Sequence, residues 1–215
     1  MKHSIRQITK DEFSRVESVY SENREKIEKY ADLLLWWNEK INLVSRGVSS
    51  ETILLHIKHS LFISLIEEFD GADSFFDTGS GGGLPGIPLA LCFEGKKFRI
   101  NDIVSKKVFA VNDMLNKLQL AGRVSGAAGD VSVAKVEEDC IVLTKHAFKL
   151  DQLYSLIDKK PWKRVVYLKG FEEALEEVQR IKDGVLLSVI RLDSEFMDSF
   201  YTGKAVVSLR RGDSE

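Results

Sequence analysis

The chain has 215 residues, of which 44% are apolar and 30% charged, and a formal net charge of −2. Length and apolar content suit one domain of ordinary size with a substantial core, and no apolar run approaches the roughly 18–20 residues of a membrane span. The charge balance is not the strongly basic one by which many nucleic-acid binders are recognised, although patches matter more than totals.

The N-terminal stretch MKHSIRQITKDEF is polar and lacks the apolar segment of a secretory signal. The two cysteines, Cys92 and Cys140, stand apart in apolar company. They read as buried free thiols of a reducing, cytoplasmic protein with no metal site. TKDE, from Thr9 to Glu12, has capping-box form. Ile27, Tyr30, Leu34, Trp37 and Ile41 then recur at helical spacing, with Glu25, Glu28, Lys29 and Glu39 on other faces. Ser50 is placed to cap a second helix running towards Phe69. Residues 1–70 therefore read as an α-helical N-terminal arm, packed into one globular unit with a catalytic segment at 71–215.

From about Asp73 short apolar runs alternate with helical patterns. SFFDTG is a strand ending in a glycine loop, GIPLALCF starts a helix, and FRINDI is a second strand. SKKVFAVNDMLNKLQLAG is a helix ending at Gly122, VSGAAGD a third strand, CIVLTKHAF a fourth and VVYLKG a fifth. The acidic helix FEEALEEVQRIK follows, and GVLLSVIRL and KAVVSLRR are final strands, close enough to form an antiparallel edge. Strand and helix alternating at this spacing predict βαβ units and a mainly parallel sheet, an α/β fold.

The stretch FFDTGSGGGLPGIPLA lies at the C-terminal end of the first of these strands, where open α/β sheets bind ligands. A phosphate-binding P-loop needs Gly-Lys-Ser/Thr at its end, but Ile87 follows Gly86. A dinucleotide fingerprint is met by Gly81, Gly83 and Gly86. Yet Pro85 and Pro88 lack the N–H groups that a pyrophosphate wants at a helix N-terminus. A third reading begins with Asp77-x-Gly79-x-Gly81-x-Gly83. S-adenosylmethionine carries an amino acid, a sulfonium and an adenosine but no phosphate, so the loop need only pass close beneath it. Asp77 can favour its positive charge, and Asp102, ending the next strand, can accept hydrogen bonds from both ribose hydroxyls.

DTGSGGGLPGIPLA closely resembles the glycine motif of the bacterial 16S ribosomal RNA guanine-N7 methyltransferases, the glucose-inhibited division protein B family. WNEKINLVS (Trp37 to Ser45), HIKHSL (from His56), DIVSKKVFAV (from Asp102), KHAF (Lys145 to Phe148) and LKG (Leu168 to Gly170) are similar to further segments of that family, in order. The resemblance implies a Rossmann-like seven-strand methyltransferase sheet, S-adenosylmethionine as donor, and N7 of a guanine in 16S rRNA of the small ribosomal subunit as acceptor. It places Gly79, Gly81 and Gly83 under the methionine part, with Asp77, Ser80 and Leu84 also among the cofactor-binding residues. Asp102 would hold the ribose, Ile103 would lie beside the adenine, and Asp130 and Val131 would line its edge. The sequence departs from the family pattern at Leu55, His59, Asp130 and His146.

Methylation at N7 removes no proton, so it asks for alignment and exclusion of water rather than a general base. His146 and Lys169, at two strand ends, are the candidates for orienting the guanine, and His146 also for touching the donor. Asn38, Asn42, Lys106, Lys145, Lys163 and Arg164 are the candidate RNA contacts. Trp162 in KKPWKR either stacks on a base or packs beneath a surface helix. Asn38 and Asn42 either meet substrate or brace the arm. His56 and His59 have a spacing that zinc could use, but packing is the simpler reading. A monomer is expected. The alternatives are a methyltransferase for a small molecule or protein, and a binding module that kept the fold and lost transfer.

Overall fold

A computed structural model describes residues 2–181 and 184–212; Lys182, the expected end of the acidic helix, lies outside them. The elements run β1 (Lys2–Gln7), α1 (Lys10–Glu22), α2 (Arg24–Asn38), α3 (Ser50–Leu61), β2 (Ser74–Thr78), α4 (Gly86–Cys92), β3 (Lys97–Asp102), α5 (Ser105–Lys117), β4 (Val124–Ala128), β5 (Cys140–Lys145), α6 (Leu150–Ile157), β6 (Trp162–Gly170), α7 (Phe171–Val178), β7 (Val185–Arg191) and β8 (Lys204–Arg211).

One eight-stranded sheet has the order β1-β7-β8-β6-β5-β2-β3-β4. Strands β2 to β6 pair in parallel, as the βαβ spacing predicts, while β8 pairs antiparallel with both β6 and β7. The expectation of seven strands is corrected to eight. The added strand is β1, which lies parallel to β7 with Lys2 opposite Leu186. The first residues are therefore sheet rather than helical arm. The antiparallel pair is not the sheet's edge either, because β1 takes that place.

Helix boundaries follow local chemistry. Thr9 and Glu12 form the reciprocal capping box that starts α1. Ser49, one residue before the expected cap, accepts from the Thr52 N–H to start α3. Five consecutive buried residues in β5 are what a strand covered on both faces requires. One apolar cluster joins Ile27, Tyr30, Leu34, Ile53 and Ile57 from α2 and α3 to Leu89 of α4 and Ile100 of β3. The N-terminal helices thus share a core with the sheet. A second cluster, on the other face, packs Leu153 and Ala174 against Val142, Val165 and Val207.

The neighbours of β2 are β3 on one side and β5 on the other. The chain order reverses there, and a crevice opens beyond the strand ends.

Candidate functional site

The loop after β2 is held from several directions. Ser80 N–H donates to the Asn101 carbonyl at 3.1 Å, and the Tyr30 hydroxyl, brought in by α2, donates to the Gly82 carbonyl at 3.0 Å. Gly79 and Gly81 have φ of +68° and +58°, a region that costs an L-residue roughly 1–2 kcal/mol. Space forbids side chains as well. A Cβ on Gly81 would lie 2.8 Å from the Leu43 carbonyl oxygen, and one on Gly79 would lie 2.9 Å from the Phe148 ring.

Two carboxylates sit beneath this loop. Asp102 Oδ2 accepts the Gly81 N–H at 2.9 Å and Oδ1 accepts the Val104 N–H at 2.9 Å. Each oxygen retains a lone pair for a further donor. Asp77 is fully buried, and its Oδ2 accepts the Gly86 N–H at the start of α4 at 2.8 Å. Asp77 Oδ1 and Ser80 Oγ have no hydrogen-bond partner among the described residues. Burial raises the Asp77 carboxyl to about 7, against the pull of the Gly86 N–H and of the nearby Ser80 hydroxyl.

These features fit S-adenosylmethionine. Its amino-acid end would lie over Ser80 and the glycine loop, with the buried Asp77 carboxyl behind them, and its ribose would meet the remaining lone pairs of Asp102. Ile103, next in sequence to Asp102 at the end of β3, is 69% exposed, bare apolar surface suited to an adenine. Val131, in the segment after β4, is buried, while Asp130 turns its carboxylate to the Ser132 N–H at 2.8 Å.

The crevice holds about 330 Å³ and is walled by Gly79, Ser80, Gly81 and Leu84 on one side and by His56, Lys107, Lys145 and His146 on others. Leu43, Val44, Ser45 and Val48 close it, so the N-terminal segment supplies a wall. Lys145 Nζ lies 2.8 Å from His56 Nδ1. His146 has a φ of +55°. That strained backbone persists only where surroundings dictate it; here its N–H is tied to the Leu168 carbonyl at 3.3 Å. Burial first, then the charge of Lys145, lowers His56 to about 3 and His146 to about 4. Burial, then Lys204, lowers Lys145 to about 7. A larger cleft of about 430 Å³ under β1, β7 and β8 contains none of the loop residues.

Other expected site residues are placed differently. Lys169 is 3% exposed and binds both oxygens of buried Glu177 at 2.7 Å, with Glu173 at 3.0 Å. Glu177 in turn accepts the Leu150 N–H at 2.8 Å. The reading of Lys169 as a substrate-orienting group is therefore corrected: it ties β6 to α7 and the start of α6. Arg164 is also corrected as an RNA contact, being buried against Glu68 and Ser208. Trp162 is buried and donates to the Ile157 carbonyl at 2.9 Å. Lys163 is exposed, but it lies at the start of β6, seven residues or about 23 Å from Gly170 at the crevice end of that strand. Asn38 spends its amide on the chain beyond α2, accepting from Leu43 and Val44 N–H at 2.9 and 3.0 Å. Asn42 and Lys106 are exposed.

The helix-packing or surface role expected of the two histidines divides between them: His59 is fully buried, with both ring nitrogens unpartnered among the described residues, while His56 faces the crevice. The start of the HIKHSL segment is the one sequence signal that marks it. The WNEKINLVS segment reaches into the closing loop 43–48, but the pairing of residues 56 and 145 carries no local signal.

The family model described as GidB, rRNA small subunit methyltransferase G, matches residues 23–200. A ribosomal RNA small subunit methyltransferase G from Chlorobaculum tepidum is 35% identical over 189 residues, 85% of this chain and 87% of that one. The protein of the same name from Chlorobium phaeobacteroides is 37% identical over 148 residues, 68% of this chain and 66% of that one. The match thus spans just under two thirds of that relative's length. Among solved structures, an O-methyltransferase from Bacillus cereus in complex with SAH aligns with a TM-score of 0.57 at 14% identity, covering 85% of this chain and 90% of that one. A cofactor-bound protein from MTB, Rv0187, aligns at 0.59 and 15% identity, covering 86% and 90%. At such identities the likeness is one of fold, the Rossmann-like fold of methyltransferases.

Proposed function

We propose a function on the premise that this chain belongs to the rRNA small subunit methyltransferase G family: it transfers a methyl group from S-adenosylmethionine to N7 of a guanine in 16S rRNA. The observation that carries this reading is the set of donor-binding features at the sheet's reversal point. They are a glycine loop with no room for side chains, Asp102 beside it, and the orphaned acceptors Asp77 Oδ1 and Ser80 Oγ beneath it. When bound, S-adenosylmethionine supplies a methyl on a sulfonium, and the N7 lone pair forms the new bond while the electron pair of the broken bond stays on sulfur.

The protein's part is alignment. Asp102 and the loop fix the nucleoside end, and Asp77 and Ser80 the amino-acid end. Loop 43–48 and the His56–Lys145 wall narrow the mouth and keep water out. Lys107 and Lys145 line that mouth, and Lys106, next to Lys107 in sequence, is exposed, a basic cluster suited to phosphates despite the net charge of −2. The acceptor base must be exposed or flipped to enter. Among the described residues no helix is long and apolar enough to cross a membrane.

The test is transfer of labelled methyl to small ribosomal subunits lacking the modification, mapped by strand cleavage at 7-methylguanine. One labelled guanine is expected. Donor binding by calorimetry with no labelled RNA would overturn the acceptor and leave the donor standing.

Donor binding should also release a proton. Asp77 titrates near 7 in the free protein, and a cation brought beside it favours the ionised form. Binding at pH 7 is expected to release up to about half a proton per site, falling towards zero by about pH 8.5. Calorimetry in buffers of different ionisation heat measures this, and Asp77→Asn should remove it. Heats independent of buffer in the parent protein would mean that the donor's cationic groups lie elsewhere.

His146→Asn keeps a residue tolerant of positive φ and removes the ring. An unchanged melting temperature is expected, with donor affinity within about threefold and kcat/KM for RNA lower by about tenfold, the effect of one lost hydrogen bond. An equal fall in donor affinity would make His146 a donor contact instead.

A further inference from the structure

The proposed chemistry leaves the choice of base unexplained. On the edge that carries N7, guanine presents two acceptors, N7 and O6, whereas adenine presents the N7 acceptor beside an amino donor. A protein group that donates a hydrogen bond next to the reacting N7 therefore accepts guanine and repels adenine. The group must stand in the crevice, carry a spare hydrogen and be held in place.

On the crevice wall that faces the glycine loop, Lys145 meets all three conditions. Lys145 ends β5, the strand adjacent to β2, and lines the same crevice as Gly79, Ser80 and Gly81. Its Nζ lies 2.8 Å from His56 Nδ1. As a ring nitrogen that accepts, Nδ1 leaves the imidazole proton on Nε2. The His56 ring is itself fixed, edge-on to Phe200 with centroids 4.9 Å apart. No carboxylate forms an ion pair with Lys145 among the described residues, so its remaining hydrogens are uncommitted. The neighbouring candidates are weaker. Lys107 Nζ lies 3.9 Å from the Asp102 carboxylate, and the ring of His146 has no hydrogen-bond partner to fix it among the described residues.

Resting on the function proposed above, we infer that Lys145 selects guanine: with one hydrogen given to His56, its Nζ donates another to O6 of the base whose N7 faces the donor methyl. His56 is then a positioning residue, acting through Lys145. Burial assists the arrangement, because an amine that titrates at about 7 can donate without holding a full positive charge against a cationic methyl donor.

The experiment pairs the side chain with the atom it reads. Small-subunit RNA is assembled with either guanine or 2-aminopurine at the mapped position; 2-aminopurine keeps N7 and lacks O6. The parent protein is expected to lose roughly 10- to 100-fold in kcat/KM on the analogue, the range for a hydrogen bond involving a charged or strongly polarised group. Lys145→Met should lose a comparable factor on guanine and less than about threefold more on the analogue, with donor affinity unchanged. Lys145→Gln, which keeps a donor amide, should recover part of the loss on guanine only. His56→Ala should lower kcat/KM on guanine while leaving the analogue nearly unaffected.

A Lys145→Met protein that still loses as much as the parent on removing O6 would overturn the assignment. So would a loss of donor affinity with discrimination intact, which would give Lys145 to the donor's carboxylate. A parent protein that methylates no RNA guanine would instead sink the function on which the inference rests, so the two failures are distinguishable.

Discussion

Gly81→Asp is expected to abolish donor binding, weakening it by more than about 1,000-fold in a calorimetric titration. Three costs add. The backbone at φ +58° asks roughly 1–2 kcal/mol of any L-residue. The new Cβ would lie 2.8 Å from the Leu43 carbonyl oxygen, so the loop or the 43–48 wall must move. The added carboxylate would stand beside Asp102, whose Oδ2 already holds the Gly81 N–H, and like charges at that range repel. Together these exceed the roughly 4 kcal/mol that correspond to a thousandfold. Gly81→Ala meets only the first two and should lose about 10- to 100-fold. Donor affinity unchanged in both variants would remove the ligand from this loop.

Lys169→Ala should unfold the protein more readily rather than block chemistry directly. It leaves Glu177, itself 3% exposed, as a buried charge without its partner, a change that costs about 3–5 kcal/mol. For a chain of this size that corresponds to a fall in melting temperature of roughly 6–20 °C. The double variant Lys169→Met with Glu177→Gln removes both charges and keeps an acceptor for the Leu150 N–H. It should recover most of the stability and, below its melting temperature, most of the transfer rate. A double variant that is stable yet inactive would restore Lys169 to the reaction.

The contrast between these two residues shows what a sequence makes legible. Asp77, the glycines and Asp102 were readable because the loop is a local structure. Its strand, turn and helix lie within one βαβ unit, and their spacing encodes the geometry. The parallel sheet was readable from alternating strand and helix patterns for the same reason. Lys169 and Arg164 were misread because a lysine or arginine at a strand end looks alike whether it meets solvent or a buried acid. Their partners, Glu177 and Glu68, come from separate elements. His56 and Lys145 meet across 89 positions, and only the fold brings them together. The strand β1 escaped because KHSIRQ has no apolar alternation; its pairing with β7 comes from an open sheet edge, not from its own propensity.

That pairing has a consequence for synthesis on the ribosome. Lys2 is made long before its partner Leu186. At roughly 5–20 residues per second β1 waits about 10–40 s for a place to go. Nor is β7 alone sufficient, since it joins the sheet through β8, which is made after it. The sheet therefore closes at this edge only after β8 has emerged, and nascent chains arrested before β8 cannot complete it. During the wait a long apolar strand would invite pairing with other nascent chains. The polar sequence KHSIRQ, with a lone isoleucine, is suited to waiting unpaired, so the weakness of its strand signal guards the chain during its own translation.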